Sequence, residues 1–421
     1  MGQSAQYSLV HITVDGEYKA PLVASQLFDQ AECQAVNDGP TAPAKVEAWI
    51  IGAMREYKDK QAQEKLASLR KRCPHIAVRM INGIGRLGYF PIIPLMKHYR
   101  RKLGKLPVIY HCRGDSAAEW ANQMKRYFPK DKVVLDVRGY WPAEKLYERG
   151  IEYPEQATGE DLEDYNMLHK KLQHAISRVD AVTTVSNALR ELLIEKAGAN
   201  KDCAVVPCCV THITGDDSRA ALRSSWGVGE EERIVVYSGT TAAYQHLDDL
   251  TIPFMKQLML ADNNVRLAFF SSQIDKIKDM LVAAGVPTEK VLLKKFQQHE
   301  VAGALAACDA GILIRKPTLV NRVANPVKIA EYLAAGLPII IEKGVGGVAY
   351  EMYEHSLLMG ITMTDTATDV PKQVKATALW LNEDVATKRK AVRDYVQNVY
   401  LWSAAIHVSR KMYLQTLKKH S

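Results

Sequence analysis

Between Arg315 and Ile341 the chain reads RKPTLVNRVANPVKIAEYLAAGLPIII: a basic strand end, a loop, a helix and a second strand in succession. Asn325, Pro326, Val327 and Lys328 stand where the helix must begin, and Glu331 follows one turn further in. Pro326 suits the first turn, where a missing N–H costs nothing and its φ is already helical. Free N–H groups and the positive end of the helix dipole make an anion site there, and Lys328 adds a mobile cation. Glu331, on nearly the same face, can accept hydrogen bonds from a ribose diol. Gly336 then caps the helix and Pro338 opens the apolar strand PIII. Diphosphate at the helix tip with sugar hydroxyls one turn along is the chemistry of a nucleotide-sugar site. The competing reading is an ordinary α/β helix start with Lys328 and Glu331 on its surface.

Other residues have chemistry of a related kind. Ser238, Gly239, Thr240 and Thr241 follow the strand Arg233–Tyr237, and a small turn of this kind lets backbone N–H groups approach a phosphate. It can equally be a tight strand-to-helix turn. Gly344, Val345, Gly346 and Gly347 form a further flexible loop after the strand Pro338–Ile341. In the first half, YHCRGD (Tyr110–Asp115) and LDVRGYWPAE (Leu135–Glu144) each place an Arg-Gly pair just past a buried strand. Arg113 and Arg138 offer planar, always-charged donor forks to phosphate or carboxylate. His111 and Asp136 are candidates to orient an acceptor hydroxyl, with Glu144 beside them and Gly16 and Glu17 on a third loop of the same edge. Structural alternatives stay open: Arg138 paired internally with Asp136 or Glu144, and His111 as a satisfied core residue.

The elements that must position these residues alternate β-rich runs with helical stretches, which predicts parallel sheets covered by helices. Strands are expected at Ser8–Val14, Val46–Ile51, Val108–His111, Val133–Val137, Ala181–Val185 and Cys203–Val206. After a polar connector they recur at Arg233–Tyr237, Arg266–Phe270, Val291–Leu293, Ala310–Ile314 and Pro338–Ile341, with a weaker candidate at Leu357–Met359. The fold class is thus α/β, with two doubly wound, Rossmann-like domains dividing near residues 207–215. Sites belong at the carboxyl ends of their strands.

The 421 residues suffice for two such cores, and the 47% hydrophobic and 24% charged fractions are those of a globular protein. The start, MGQSAQYSLVHITVDG, lacks a signal-peptide pattern, and no segment approaches the roughly 20 apolar residues of a membrane span. A cytoplasmic protein is expected. Seven cysteines without a CxxC pair, and no HExxH, point to reduced thiols and no metal. The formal charge is +8, and Lys97, Arg100, Arg101, Lys102 and Lys105 cluster without an intervening acid. The apolar stretch Ile81–Met96, with Tyr89 and Phe90, precedes them. That pairing suits peripheral attachment to an anionic membrane surface, or else a helix burying Leu95 and Met96 in a core. No nucleic-acid motif is present.

Taken together, these motifs resemble the retaining glycosyltransferases of family 4. VTTVSNALRELL (Val182–Leu193) is similar to that family's strand-serine-helix segment and VVPCCVTHI (Val205–Ile213) to its interdomain strand. NPVKIAEYLAAGLPIII resembles its donor segment, and YLWSAAIHVSRKMYL (Tyr400–Leu414) its final helix. HCRGD with DVRGYWPAE is similar to a bacterial subgroup associated with surface polysaccharide. The resemblance implies a GT-B fold: an acceptor domain at 1–212, a nucleotide-sugar domain at 213–395, and a helix at 396–421 crossing back over the cleft to the first. It implies transfer from a nucleotide diphosphate sugar to a lipid-linked glycan acceptor in bacterial surface-polysaccharide synthesis, with no cofactor and no catalytic metal.

By position, the resemblance implies Glu331 at the ribose, Gly239 and Asn325 to Lys328 by the diphosphate, and Gln297 by the base. Three departures stand out. Thr240 and Gln245 occupy the approximate places of a usual Arg and Lys, Val323 that of the first of two glutamates, and Arg113 or Arg138 that of a catalytic-loop histidine. Arg315, Lys316 or Arg322 are candidates to replace the lost cations. A nucleotide-sugar 2-epimerase and a non-catalytic scaffold of the same fold are the alternatives.

Overall fold

The computed structural model describes residues 6–53, 59–83, 92–198, 201–348, 351–354, 356–363 and 369–419. The chain divides into two compact units, Met1–Thr211 with Trp402–Ser421 and, as the second, His212–Leu401.

The first unit is built on seven strands: β1 (Ser8–Val14), β2 (Val46–Ala53), β3 (Ala77–Gly83), β4 (Val108–Arg113), β5 (Lys132–Val137), β6 (Ala181–Thr184) and β7 (Cys203–Val205). Their order is β3-β2-β1-β4-β5-β6-β7 and every pair is parallel. Strands covered on both faces carry continuous rather than alternating apolar runs. Accordingly β1 is buried from Ser8 to Thr13 and β5 along its whole length. The register sets His11 of β1 against His111 of β4, with ring centroids 4.8 Å apart.

Strand β3 departs from expectation: its sequence, AVRMING, does not read as a strand, and Ile81 stands at the start of the apolar stretch read as a membrane-attachment candidate. Ile81 is fully buried within the strand, and Arg79 turns to Glu47 of β2 at 2.6 Å. The basic segment is also corrected in part. The helix Ile92–Lys102 buries Ile92, Met96 and Arg100 at four-residue spacing, one face of a helix. Arg100 is 5% exposed, binds Asp131 at 2.6 Å and donates to the carbonyls of Gly104 and Leu106. An arginine so paired inside the fold is unavailable to a membrane. Lys97 lies 3.8 Å over the Tyr127 ring, while Arg101, Lys102 and Lys105 are exposed. Tyr89 and Phe90 lie outside the described residues.

The helix Trp402–Lys418 belongs to this first unit, and its buried residues recur at helical spacing from Trp402 through Ile406 and Tyr413 to Thr416. It is also bonded there. Arg410 donates to Gln34 Oε1 at 2.7 Å and to the carbonyls of Gln34 and Asn37, while Trp402 Nε1 donates to the Ser25 carbonyl.

The second unit holds six parallel strands: β8 (Arg233–Ser238), β9 (Val265–Phe270), β10 (Val291–Lys294), β11 (Ala310–Leu313), β12 (Ile339–Glu342) and β13 (Leu358–Ile361). Their order is β10-β9-β8-β11-β12-β13. The unit extends to Leu401 because the helix Val385–Val399 is tied into it: Arg389 and Arg393 both pair with Asp216.

In each sheet the strand order reverses beside its first strand, between β1 and β4 and between β8 and β11. The carboxyl ends of strands flanking such a reversal leave a crevice. In the first unit that edge carries Glu17, Arg113 and Arg138; in the second it carries Gly239 and Arg315.

Candidate functional site

In the second unit, β8 ends at Ser238, whose N–H donates to Tyr332 Oη at 2.8 Å and so ties the strand to the helix Val327–Ala334. That helix presents Lys328, only 9% exposed, whose Nζ donates to Gln245 Oε1 at 2.9 Å and lies 4.2 Å from the Tyr237 ring centroid. Arg315, beyond β11, donates through Nη2 to the same oxygen at 2.8 Å and lies 5.3 Å from the Tyr244 ring centroid. Lys328 and Arg315 therefore converge on one neutral amide. Burial, and next the Arg315 charge, push the Lys328 ammonium well below its ordinary pKa, against the opposing pull of Glu331. Burial raises the Glu331 carboxyl, against the pull of Lys328.

Gly239 makes room for the ammonium. A Cβ at that position would lie 2.5 Å from Lys328 Nζ, and its φ of +147° is one that side chains rarely adopt. Pro326 stands one residue earlier than expected. It is the N-cap, with ψ 131°, and the helix proper begins at the half-buried Val327. Asn325 is buried, with Nδ2 3.4 Å from the Gly346 carbonyl, and so braces the glycine loop. Thr240 and Gln297 are exposed. The Thr240 carbonyl accepts from Tyr237 Oη at 2.5 Å, and Gln297 N–H donates to Glu300. Among the described residues neither is bonded to Lys328. Of the three candidate replacement cations, Arg315 is the one joined to Lys328 through Gln245, whereas Arg322 is exposed. Gln245 stands near the place of a usual Lys, but no motif marks it as a bridge between two basic side chains.

In the first unit, a cavity of about 230 Å³ is lined by Glu17, Arg113, Asp136, Arg138, Trp141 and Glu144, among others. Each comes from the carboxyl edge of the sheet: Glu17 from the turn after β1, Arg113 from the end of β4, Asp136 and Arg138 from β5 and just beyond it. Trp141 and Glu144 belong to the helix Trp141–Glu148. Gly16 sits exposed beside Glu17. Asp136 is 4% exposed, accepts from Thr183 Oγ1 at 2.9 Å, and faces Arg138 Nη1 at 3.7 Å and His111 Nε2 at 3.8 Å. Burial alone would raise its carboxyl; the charges of Arg138, His111 and Arg113 outweigh this and hold it well below the usual carboxylate range.

Arg138 is held in place, its Nη2 at 3.0 Å from both Gln26 Oε1 and Cys208 Sγ. His111 is 2% exposed and stands behind Asp136, with Nδ1 2.8 Å from Tyr413 Oη of the Trp402–Lys418 helix. The structure brings the four residues His111, Arg113, Asp136 and Arg138 into one neighbourhood. It sets His111 as a second layer, away from the cavity lining. Glu144 is half-buried and packs over Gly139, where a Cβ would meet its Oε1 at 2.0 Å. Burial, then Glu148, raises its carboxyl, with Lys145 opposing. Among the described residues no group of three or more His, Cys, Asp or Glu is placed to hold a metal ion.

No family model matches this chain, and no curated protein does. Solved structures do. HepE of Anabaena in complex with UDP is similar over 98% of this chain and 100% of its own, with 13% identity and a TM-score of 0.65. Sucrose-phosphate synthase of Thermosynechococcus elongatus shows 16% identity and a TM-score of 0.66 over 99% of this chain and 100% of its own. WaaG, a glycosyltransferase involved in lipopolysaccharide biosynthesis, shows 11% identity and a TM-score of 0.57, over 96% and 99%. Identities this low speak to the fold: the two Rossmann-like units are those of GT-B structures.

Proposed function

We propose that the protein is a retaining glycosyltransferase of family 4. On this reading it moves a sugar from a nucleotide diphosphate sugar to a glycan acceptor, lipid-linked, in bacterial surface-polysaccharide synthesis. The observation that carries the reading is the pair Lys328 and Arg315, buried on the neutral Gln245 next to Gly239, with Glu331 one helical turn along. A lysine and an arginine buried on one amide suit a diphosphate, and a half-buried carboxylate suits a ribose diol. The likeness to HepE, solved with UDP and with UDP-glucose, supports a uridine donor class.

The chemistry then follows from charge. As the glycosidic bond of the donor breaks, negative charge grows on the departing diphosphate. Lys328, Arg315 and the N–H groups at the start of the Val327–Ala334 helix are already oriented to stabilise it, a role worth roughly 10²–10³ in rate per donor group. The leaving oxygen takes the acceptor proton on the same face, which retains the anomeric configuration. In the first unit, ionised Asp136 orients the acceptor hydroxyl, with His111 and Tyr413 fixing Asp136 from behind.

The test is sugar transfer from a panel of nucleotide sugars, without added metal, to lipid-linked glycans. Glu331→Ala should weaken UDP binding about ten- to a hundredfold in calorimetry, since it removes hydrogen bonds to a charged acceptor. No heat of binding with any nucleoside diphosphate would leave a scaffold as the better description.

A further inference from the structure

Arg113 is the anomaly of the first unit. Its guanidinium is half-buried at the end of β4 and lines the cavity, yet among the described residues it has no hydrogen bond and no ion pair; Nη1 is sealed without a partner. Arg138, just beyond the end of the neighbouring strand β5 in the same lining, is held by Gln26 and Cys208 and faces Asp136. Taking a guanidinium out of water is costly unless a partner replaces that water.

The charges of Asp136 and Glu17 reach Arg113, but among the described residues no carboxylate lies within ion-pair distance of it. Asp136 is shared with Arg138 and His111, Asp115 pairs with Lys171 at 2.9 Å, and Glu17 accepts from Thr13 at 3.0 Å. Glu144 packs over Gly139. Arg113 is also the N-cap residue of the helix Gly114–Lys125, and it makes no side-chain cap bond. First-turn N–H groups therefore open beside the guanidinium, with Gly114 in the same lining.

We propose that this cavity takes an oxyanion, a carboxylate or a phosphate carried by the acceptor, and that Arg113 is its receptor. A planar fork next to a helix start matches two oxygens of either group. The inference rests on the reading of the first unit as the acceptor side, and narrows that reading to an acidic acceptor.

Calorimetric titration of the full chain tests it, with glucuronic acid, glucose 1-phosphate and neutral glucose as probes. The expected result is that at least one acidic probe binds about tenfold or more tightly than glucose. Whichever does so identifies the carboxylate or the phosphate as the source. Arg113→Gln should abolish the difference, Arg113→Lys should keep part of it, and Lys328→Ala should leave it unchanged. Circular dichroism reports whether each variant is folded, and UDP binding does so for the Arg113 variants. The proposal is overturned if glucose binds as well as both acids, or if folded Arg113→Gln binds them like the unaltered chain. Loss with Lys328→Ala instead overturns it too, by locating the anion in the second unit. The two readings fail separately: glucose binding as tightly as both acids sinks this proposal and leaves the proposed transferase standing, whereas absent sugar transfer sinks the transferase and leaves the acid selectivity measurable.

Discussion

Lys328 and Arg315 donate to one amide oxygen, and the consequence is a proton. With its ammonium pushed below the ordinary value of 10.5, Lys328 binds a proton less readily in the empty site than when a diphosphate lies against it. In the window between those two values, UDP binding should take up a proton and weaken as pH rises. Calorimetry in buffers of different ionisation enthalpy measures this, and heats independent of buffer, or unchanged in Lys328→Ala, would refute it. The empty protein follows the opposite slope. Its unfolded lysine holds more protons through the window, so stability rises with pH there. At Arg138 the expectation is structural as well as functional. The sequence left open whether it serves a ligand or an internal pair, and the structure gives it Gln26, Cys208 and Asp136. Arg138→Ala strands a carboxylate only 4% exposed, and should cost about 3 kcal/mol in urea unfolding besides lowering activity.

At the scale of elements, the turn after β8 and the start of the Val327–Ala334 helix act as one device. Gly239→Ala should therefore destabilise the fold modestly, through its positive φ, and displace the Lys328 ammonium from Gln245. It should bind UDP at least about tenfold more weakly, since that lysine must leave its place; unchanged binding would separate the turn from the site. These elements were readable because both sheets consist of buried β-branched runs punctuated by Gly and Pro, and because the donor helix carries its own start and stop residues. Strand β3 was not readable. At the sheet edge it keeps Arg79 and Asn82, whose polar side chains break the apolar run, and Arg79 finds Glu47 only once the strands pair. Gln245 was invisible as a bridge for a similar reason: its partners are 70 and 83 residues away in sequence. His111 reads as a candidate to orient an acceptor hydroxyl from its place on β4, but its bond to Tyr413, 302 residues on, is invisible to local spacing.

For the molecule as a whole, the charge of +8 has a local expression in Arg101, Lys102 and Lys105, exposed at and beyond the end of the Ile92–Lys102 helix. No helix among the described residues is long and apolar enough to cross a membrane. Attachment to the inner membrane face, if the proposed lipid-linked acceptor is right, then rests on such residues at about 1 kcal/mol each. Sedimentation with phosphatidylserine vesicles should show binding that falls sharply with salt and with replacement of these three by Gln; indifference to both would refute an electrostatic attachment. Arg100 is unsuited to that test, because its loss leaves Asp131 buried alone. The Trp402–Lys418 helix has one further implication, for biosynthesis. Met412 and Tyr413 are part of the same apolar core as Leu9 and Ile50. Translation reaches them only after every residue of the second unit has emerged. The half of the protein made first is thus the half that matures last, waiting with an open seam while its successor folds, and that interval is when chaperone dependence should be greatest.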